Sequence, residues 1–308
     1  MAEACQVSPF NLGDVSGIER FFQDVATILA SCWPLQPLIL DMRGVSFVPP
    51  QGIIALTTVC RHWYSQTGER VHLRNLHPEV HQYLERMDMF LHCGEWVDEE
   101  RALAEDQRFG RSHASSNLLE LLPIAGGEAQ NSKDVAAAVA RAHRIVDTWF
   151  DADVRAIGRL LTMMSEITGN IVHSHDRGFV TIQRYRSANV TPLGSRVTVA
   201  VGDLGIGIRS SLHGKFSASP FASEIPLSTG SDYLLHALDL GVTRRDTAGG
   251  VGLYQVRELV NAWQGSLIIR SDGSMIRISQ GGIERWDDLA EIPGTQVTIR
   301  VRGSLEGL

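Results

Sequence analysis

The sequence predicts an α/β (α+β) protein built from two domains. The chain has 308 residues, and because domains usually span about 100–200 residues, two hydrophobic cores fit this length. In residues 1–96 short apolar runs alternate with amphipathic helical patterns, which is typical of a sheet covered by helices. In residues 118–308 one apolar strand and two long helices precede a further series of strands. The polar, charged stretch 97–117 between them is predicted to be a linker.

The elements of the first domain follow from hydrophobic spacing. Apolar residues three and four positions apart predict helices at 15–30, 53–66 and 77–87. Short apolar runs at 37–41 and 71–73 predict buried strands between those helices. Pro34 ends the first helix because proline cannot continue it, and Pro78 fits the first helical turn, where its missing N–H is not needed.

Composition limits the classes of function. The net charge of −7 disfavours a general nucleic-acid binder, because proteins that follow phosphate backbones usually carry a basic surface. The four cysteines lie in the first third of the chain and none forms a C-x-x-C pair, so we expect neither a zinc ribbon nor a disulfide framework. With no signal-peptide pattern and no apolar run of about 20 residues, a cytoplasmic protein without membrane contact is expected.

The second domain is predicted to combine helices with an extended sheet. Helical spacing covers 133–149 and 153–173. Alternating or apolar runs predict six strands, at 118–124, 178–186, 196–203, 266–271, 275–279 and 295–301. A long segment rich in Ser and Gly, 209–245, interrupts the series and contains one short helix near its end. Long irregular insertions in compact domains are usually functional or mobile.

The helix predicted at 153–173 carries a group of side chains suited to chemistry. Glu166 and Asn170 are four residues apart and His173 follows three residues later, so the three share one helical face. The amide oxygen of Asn170 is a hard, uncharged ligand that suits Mg²⁺ beside phosphates. Glu166 can take a proton from a water or a hydroxyl group as general base. The alternative is a polar helix face that simply meets solvent.

Two glycine-containing segments complete the predicted site. Asp203 ends a strand, and Gly205 and Gly207 follow at a spacing that lets the backbone approach a flat ligand. The carboxylate of Asp203 can accept a hydrogen bond from the exocyclic amine of adenine. The second segment, Gly249, Gly250, Gly252 and Leu253, opens a helix, and free N–H groups at a helix N-terminus bind anions such as phosphate. Thr295, at the start of the last strand, can reach phosphate or base.

Each segment alone has a plain structural explanation. Asp203 with its glycines could be a turn at a strand end, and Thr295 an ordinary strand residue. Other nucleotide and hydrolase motifs are absent from the sequence. There is no G-x-x-x-x-G-K-[ST] phosphate loop, no Rossmann glycine pattern between strand and helix, and no G-x-S-x-G nucleophile turn.

The first domain resembles the STAS domains of anti-sigma-factor antagonists. The resemblance rests on LILDMRGVSFVPPQGIIAL, residues 38–56, which are similar to that family's strand, Asp, loop and helix. That family usually has Asp-Ser-Ser-Gly before the helix, with a serine that accepts phosphate. Here the loop is Pro49-Pro50-Gln51-Gly52 and has no hydroxyl group. The resemblance therefore implies a docking or dimerisation module and not a phosphorylated switch.

The second domain resembles the GHKL ATPases, a superfamily that includes gyrase, Hsp90, histidine kinases, MutL and the anti-sigma serine kinases. Four groups of residues match its motifs in order: Glu166 and Asn170; Asp203, Gly205 and Gly207; Gly250, Gly252 and Leu253; and Thr295. The resemblance implies a Bergerat fold, a left-handed βαβ sandwich with ATP between sheet and lid. It implies that Asn170 binds Mg²⁺, Asp203 binds adenine, the glycines border the phosphates and the lid, and Glu166 is the base.

The match to the anti-sigma kinases has two departures. Ser174, flanked by His173 and His175, stands where those kinases carry histidine, and Ala248 replaces the usual first glycine of the third motif. Both departures bear on turnover more than on binding. The sequence therefore predicts an ATP- and Mg²⁺-binding regulatory protein of the partner-switching type, with serine/threonine kinase or slow ATPase activity. The alternative is a module that binds ATP and changes its protein contacts without turnover. We expect a STAS-like or sigma-related protein partner and a homodimer.

Overall fold

The computed structural model describes residues 5–31, 37–100, 118–147, 154–173, 177–186, 195–218, 228–239 and 252–302. Within them the chain is a mixed α/β protein with one parallel and one antiparallel sheet, which confirms the predicted fold class at that level. We call residues 5–100 the N-terminal unit and residues 118–302 the C-terminal unit.

The N-terminal unit is a four-stranded parallel sheet with helices between its strands. Its elements are β1 (Cys5–Val7), α1 (Val15–Ser31), β2 (Leu38–Asp41), α2 (Pro50–Thr67), β3 (Val71–Arg74), α3 (Pro78–Arg86), α4 (Met89–Cys93) and β4 (Val97–Glu99). The strands pair in sequence order. Strand β4 lies inside the range 97–117 that was predicted as a linker, because its polar residues hide the strand pattern while Val97 packs in the core. Residues 101–117 lie outside the described residues.

The C-terminal unit is a seven-stranded antiparallel sheet with helices on one face. Its elements are β5 (Leu118–Ala125), α5 (Glu128–Val146), α6 (Val154–Gly169), a 3₁₀ turn (Asn170–His173), β6 (Arg177–Arg186), β7 (Ser195–Gly202), α7 (Gly207–Ala218), α8 (Gly230–His236), α9 (Gly252–Ala262), β8 (Ser266–Asp272), β9 (Ser274–Ser279), β10 (Gly282–Trp286) and β11 (Ile292–Arg302). The strand order is β10-β9-β8-β11-β7-β6-β5. Because β7 and β8 are both antiparallel to β11, they run parallel to each other, and helices α7 to α9 connect them.

Two predictions of local structure need correction. The segment predicted as irregular from residue 209 begins with helix α7, whose Ser- and Gly-rich sequence hides a helix that packs on β8 and β11. The helix predicted to continue to His173 ends as an α-helix at Gly169, and a 3₁₀ turn follows from Asn170. Glu166 and Asn170 therefore do not share one continuous α-helical face.

Helix α2 lies between the two sheets. It contacts β3 of its own unit on one side and β6, β7 and β11 of the C-terminal unit on the other, so that 13 of its 18 residues are buried. Pro50 occupies its first turn, and Gly68, with φ of 73°, ends it in the left-handed conformation that glycine adopts readily. One hydrophobic cluster joins residues of the N-terminal unit to residues of the large sheet, among them Phe179, Ala200 and Ile292. The units share a core.

The opposite face of the large sheet carries a second hydrophobic cluster. Val197, Val199 and Val201 of β7 point into it, together with side chains from α5, α6 and α9. Alternate residues of β7, such as Ala200, point toward α2 instead. The large sheet is therefore covered on both faces, by the N-terminal unit on one and by its own helices on the other.

Candidate functional site

Three neighbouring strand ends bring Asp203, Ser271 and Thr295 together; we call these residues the strand-end cluster. Thr295 pairs with Ser271 in the register of β11 and β8. The ladder between β7 and β11 continues beyond β7, because the backbone N–H of Asp203 donates to the carbonyl oxygen of Thr295 at 3.0 Å. The hydroxyl oxygens of Ser271 and Thr295 lie 3.3 Å apart.

The cluster faces the helical layer. Val201, Val297 and Ile269 are the residues two positions before Asp203, two after Thr295 and two before Ser271, and all three belong to the core under α5, α6 and α9. Because side chains alternate along a strand, we place the strand-end cluster on that same face. The sheet thus ends in one carboxylate and two hydroxyl groups beside an apolar core.

The loop after Asp203 is held against these strand ends. The carboxylate of Asp203 accepts a hydrogen bond from the N–H of Gly205 at 2.6 Å. The hydroxyl of Ser271 accepts one from the N–H of Ile208 at 2.9 Å and donates to the carbonyl oxygen of Gly294 at 3.0 Å. Ser271 is therefore the residue that ties the start of α7 to the sheet.

Gly207 is required by this arrangement for two reasons. Its φ of 74° lies in the left-handed region, and a Cβ atom there would collide with the carboxylate of Asp272. Gly207 begins α7 instead of lying in an open loop, and its close approach is to Asp272, so the predicted approach of its backbone to a flat ligand stays a prediction. Gly205, whose N–H donates to the carboxylate of Asp203, is half-buried in the turn between Asp203 and Gly207.

The electrostatics of the cluster are set by burial. Asp203 is only partly exposed, and loss of solvation raises the pKa of its carboxyl group from 3.8 to about 6. The hydrogen bond from Gly205 and the positive charge of Arg61 lower this pKa, whereas the carboxylate of Asp272 raises it. Burial likewise raises the pKa of Asp272 to about 6. Two carboxyl groups with raised pKa values therefore lie at one end of the sheet.

The predicted metal and base residues lie at the end of α6. Glu166 is half-buried in the last turns of α6, and Asn170 is exposed at the first position of the 3₁₀ turn. Residues flanking them are core residues, since Ile167 and Ile171 both belong to the cluster under the helices. Glu166 and Asn170 are thus less buried than the core residues beside them. The side chain of His173 lies outside the described residues.

The phosphate segment is described in part. Gly252 begins α9, as predicted for a helix that opens at the third glycine segment. Leu253 is half-buried and packs against the core under the helices and against the small cluster of Leu212, Tyr233 and Ala237. Gly249 and Gly250 lie outside the described residues.

Sequence reasoning missed Ser271, Asp272 and Arg61. The sequence does carry a signal for Ser271 and Asp272, because Ser271-Asp272-Gly273 is a typical turn sequence at the end of an apolar strand. The structure agrees with a tight turn there, since Asp272 has a left-handed φ of 53°. Nothing in the sequence places Arg61 near Asp203, because the two belong to different sheets and lie far apart along the chain.

Comparison with protein-family models gave no match to this chain, and comparison with curated proteins gave none either. Among the described residues, no group of three or more His, Cys, Asp and Glu side chains is placed to hold a metal ion. None of the described helices combines the length and apolar character needed to cross a lipid bilayer.

The raised pKa of Asp203 predicts a stabilising substitution. Because the carboxyl titrates near 3.8 when unfolded and near 6 when folded, its ionisation opposes folding, and this loss of stability develops as the pH rises from about 4 to 6. Asp203→Asn removes the ionisation and keeps an oxygen for the N–H of Gly205. We expect the variant to gain about 1–3 kcal/mol in unfolding free energy at pH 7.5 and nothing at pH 4.

Urea unfolding at the two pH values measures this gain. Asp24→Asn, an exposed carboxyl group on α1, is the matched control and is expected to change little at either pH. Equal stability of Asp203→Asn and the unaltered protein at pH 7.5 would show that solvent screens this carboxylate.

Proposed function

We propose that this chain binds ATP with Mg²⁺ and acts as a regulatory protein of the partner-switching type. The observation that carries the proposal is the strand-end cluster, in which a half-buried carboxylate and two hydroxyl groups lie beside the apolar core under the helices. An apolar surface with a few fixed polar groups is the usual character of a small-molecule site. Asp203 accepts a hydrogen bond from the exocyclic amine of adenine.

The remaining residues suit the other parts of the ligand. The exposed amide oxygen of Asn170 is available to Mg²⁺, which takes few protein ligands when phosphates and waters supply the rest. The N-terminus of α9 at Gly252 directs the N–H groups of its first turn and the positive end of the helix dipole outward, which suits phosphate. The resemblance to GHKL ATPases supports the same assignment, and the parallel β7 and β8 joined by helices are compatible with that family's βαβ arrangement.

Glu166 is the proposed general base. Bound ATP supplies the phosphoryl group, and the half-buried carboxylate of Glu166 holds the proton released by an attacking water or protein hydroxyl. This assignment makes the protein a slow ATPase or a serine/threonine protein kinase. The second candidate is an ATP-gated interaction module without turnover, favoured by the departures at Ser174 and Ala248.

The N-terminal unit supports a regulatory role. Its resemblance to STAS domains implies a partner of the STAS-like or sigma-related class, and the proposal includes a homodimer and a cytoplasmic location. Light scattering in the presence of ATP tests the homodimer, and a monomeric mass would contradict it.

Calorimetry with ATP tests the site directly. We expect Mg²⁺-dependent binding of ATP, with inosine triphosphate bound more weakly because it lacks the exocyclic amine. In Asp203→Asn the preference for ATP over inosine triphosphate is expected to shrink, since the amide keeps only one acceptor oxygen. A preference that survives the substitution would exclude Asp203 as the adenine ligand.

Glu166→Gln separates binding from chemistry. The amide has nearly the same shape but cannot take up a proton, so ATP affinity is expected to remain within about twofold while phosphate release falls about 100-fold or more. Labelled ATP is followed into water and into candidate partner proteins, with Glu258→Gln on the exposed side of α9 as the control. Turnover at the unaltered rate in Glu166→Gln would exclude Glu166 as the base, and no turnover in the unaltered protein would favour the interaction module.

A further inference from the structure

A groove with a volume of about 500 Å³ lies between residues 154–162 of α6 and residues 254–259 of α9; we call it the α6–α9 groove. Part of its lining is apolar, with Leu259 and Tyr254 on α9 and Val154 on α6, which is 79% exposed. Gly158 leaves the groove open, because a Cβ atom there would meet nothing within 4 Å. A concave surface with an apolar lining and a few polar side chains is typical of a binding site.

One end of the α6–α9 groove lies toward the strand-end cluster. Helix α6 ends on the side of Asp203, because it leads into β6, and the start of β6 pairs with the end of β7. Helix α9 runs the other way, because it leads into the start of β8, whereas Ser271 lies near the end of β8. Leu253, in the first turn of α9, accordingly packs on the same small cluster as Ile208, whose N–H donates to Ser271. The last turns of α6 and the first turn of α9 therefore lie at the same end.

A line of side chains on α6 joins the groove to Glu166. Arg155, Arg159 and Thr162 line the groove, and Glu166 continues their spacing of three and four residues. At about 100° per residue, Glu166 is rotated by only about 20° from Arg155, so the four side chains share one helical face. At a rise of about 1.5 Å per residue, Arg159 lies about 10 Å from Glu166 along the helix, and Arg155 about 16 Å. The groove therefore leads to the proposed base.

The charges of the groove favour an acidic occupant. Arg155 and Arg159 are exposed on the wall formed by α6. Among the described residues that line the groove, Glu258 of α9 is the only carboxylate, and its charge is offset by Arg257, whose guanidinium lies 3.6 Å away. Arg257 also lies 5.3 Å from the ring centre of Tyr254, which brings a third guanidinium group to the edge of the groove. Complementary charge selects an acidic protein segment here, although the chain as a whole has a net charge of −7.

We propose that the α6–α9 groove binds the acceptor segment of a protein substrate, a serine or threonine with acidic residues about three to five positions away. This inference rests on the proposed function and names the substrate class of the same site. An extended chain advances about 3.3 Å per residue, so with the acceptor hydroxyl at Glu166 the third residue lies beside Arg159 and the fifth beside Arg155.

The position of Glu166 at the end of the groove defines its part in the transfer. Glu166 takes the proton of the acceptor hydroxyl while the hydroxyl oxygen forms a bond to the γ-phosphorus of ATP. The bond from that phosphorus to the bridging oxygen breaks, and ADP leaves with the bonding electron pair. The products are ADP and a phosphorylated serine or threonine.

Fluorescence anisotropy with labelled peptides tests the binding in the absence of nucleotide. One peptide has a central serine with aspartates three and five positions before it, and a second has them three and five positions after it. Two further peptides carry the aspartates directly beside the serine, or lysines in the spaced positions. We expect one of the spaced acidic peptides to bind about tenfold more tightly than its lysine counterpart and more tightly than the peptide with adjacent aspartates. Equal affinity for acidic and lysine peptides would overturn the inference.

Three variants make the result specific. In Arg159→Glu the preference is expected to reverse, so that the lysine peptide binds more tightly than the acidic one. Gly158→Phe fills the groove and is expected to weaken peptide binding about tenfold; it should fold, because glycine is itself unfavourable inside a helix. Arg144→Glu, at an exposed position on α5, is the matched control and is expected to leave both affinities unchanged. Unaltered binding of the acidic peptide by both Arg159→Glu and Gly158→Phe would exclude the groove.

Phosphate transfer separates this inference from the proposed function. With Mg²⁺ and labelled ATP, we expect the unaltered protein to label the serine of the bound acidic peptide. Peptide binding without transfer, in a protein that binds ATP, would overturn the acceptor role of the groove and leave the nucleotide site intact. Absence of ATP binding would instead overturn the proposed function, and it is recognised separately because peptide affinity is measured without nucleotide. A dimer that becomes a monomer in Gly158→Phe would assign the groove to a second copy of this chain and overturn the inference.

Discussion

Replacing Asn170 with alanine is expected to remove Mg²⁺-dependent ATP binding, lowering affinity about 100-fold or more. The side chain is exposed at the start of the 3₁₀ turn after α6, so alanine leaves no cavity and breaks no packing. The loss comes from Mg²⁺, which holds few protein ligands and cannot readily replace one. Calorimetry with Mg²⁺ and with a chelator measures the effect. The chelated affinity is expected to be the same in both proteins.

The matched control is Asn261→Ala, an exposed asparagine near the end of α9. It tests the loss of an amide on another helix of the same layer and is expected to leave affinity unchanged. If Asn170→Ala binds Mg²⁺ and ATP as tightly as the unaltered protein, the metal is held elsewhere and the assignment of Asn170 fails.

The parts of the site that sequence predicted are those fixed by local rules. Asp203 follows an alternating strand, and Gly252 marks the start of a helix, so both positions follow from neighbouring residues alone. Ser271 was not predicted as a site residue because its role depends on the strand order β7-β11-β8. This order brings Ser271 close to Asp203, although the two are almost 70 positions apart in the chain. Strand order is a tertiary property that no local pattern encodes.

Helix α2 shows that the same limit of local sequence patterns applies to the fold. Its residues Ile53, Ile54, Ala55 and Leu56 are consecutive and all buried, a run that has no single apolar face. A helix that is apolar all round is buried on all sides. This apolar run is thus a sequence signal for the shared core. The partner strands of α2 lie more than a hundred residues further along the chain, so the local pattern alone predicts two separate domains.

Arg270→Met is expected to lower the unfolding free energy of the whole protein by about 3–5 kcal/mol. Arg270 of β8 is buried, bonds to Glu19 of α1 at 2.9 Å and lies 4.6 Å from the ring centre of Phe22. It also donates to the backbone carbonyls of Asp272 and Ala290. Its loss leaves the carboxyl group of Glu19, whose pKa burial already raises, without its partner.

Urea unfolding measures this loss and tests whether the two units unfold together. Because Arg270 and Glu19 come from different units that share one hydrophobic cluster, we expect a single transition that moves as a whole in Arg270→Met. Adding Glu19→Gln to that variant should recover part of the stability, since an uncharged amide costs less to bury than an unpaired carboxylate. Two separate transitions, with only one displaced, would show that the units fold independently.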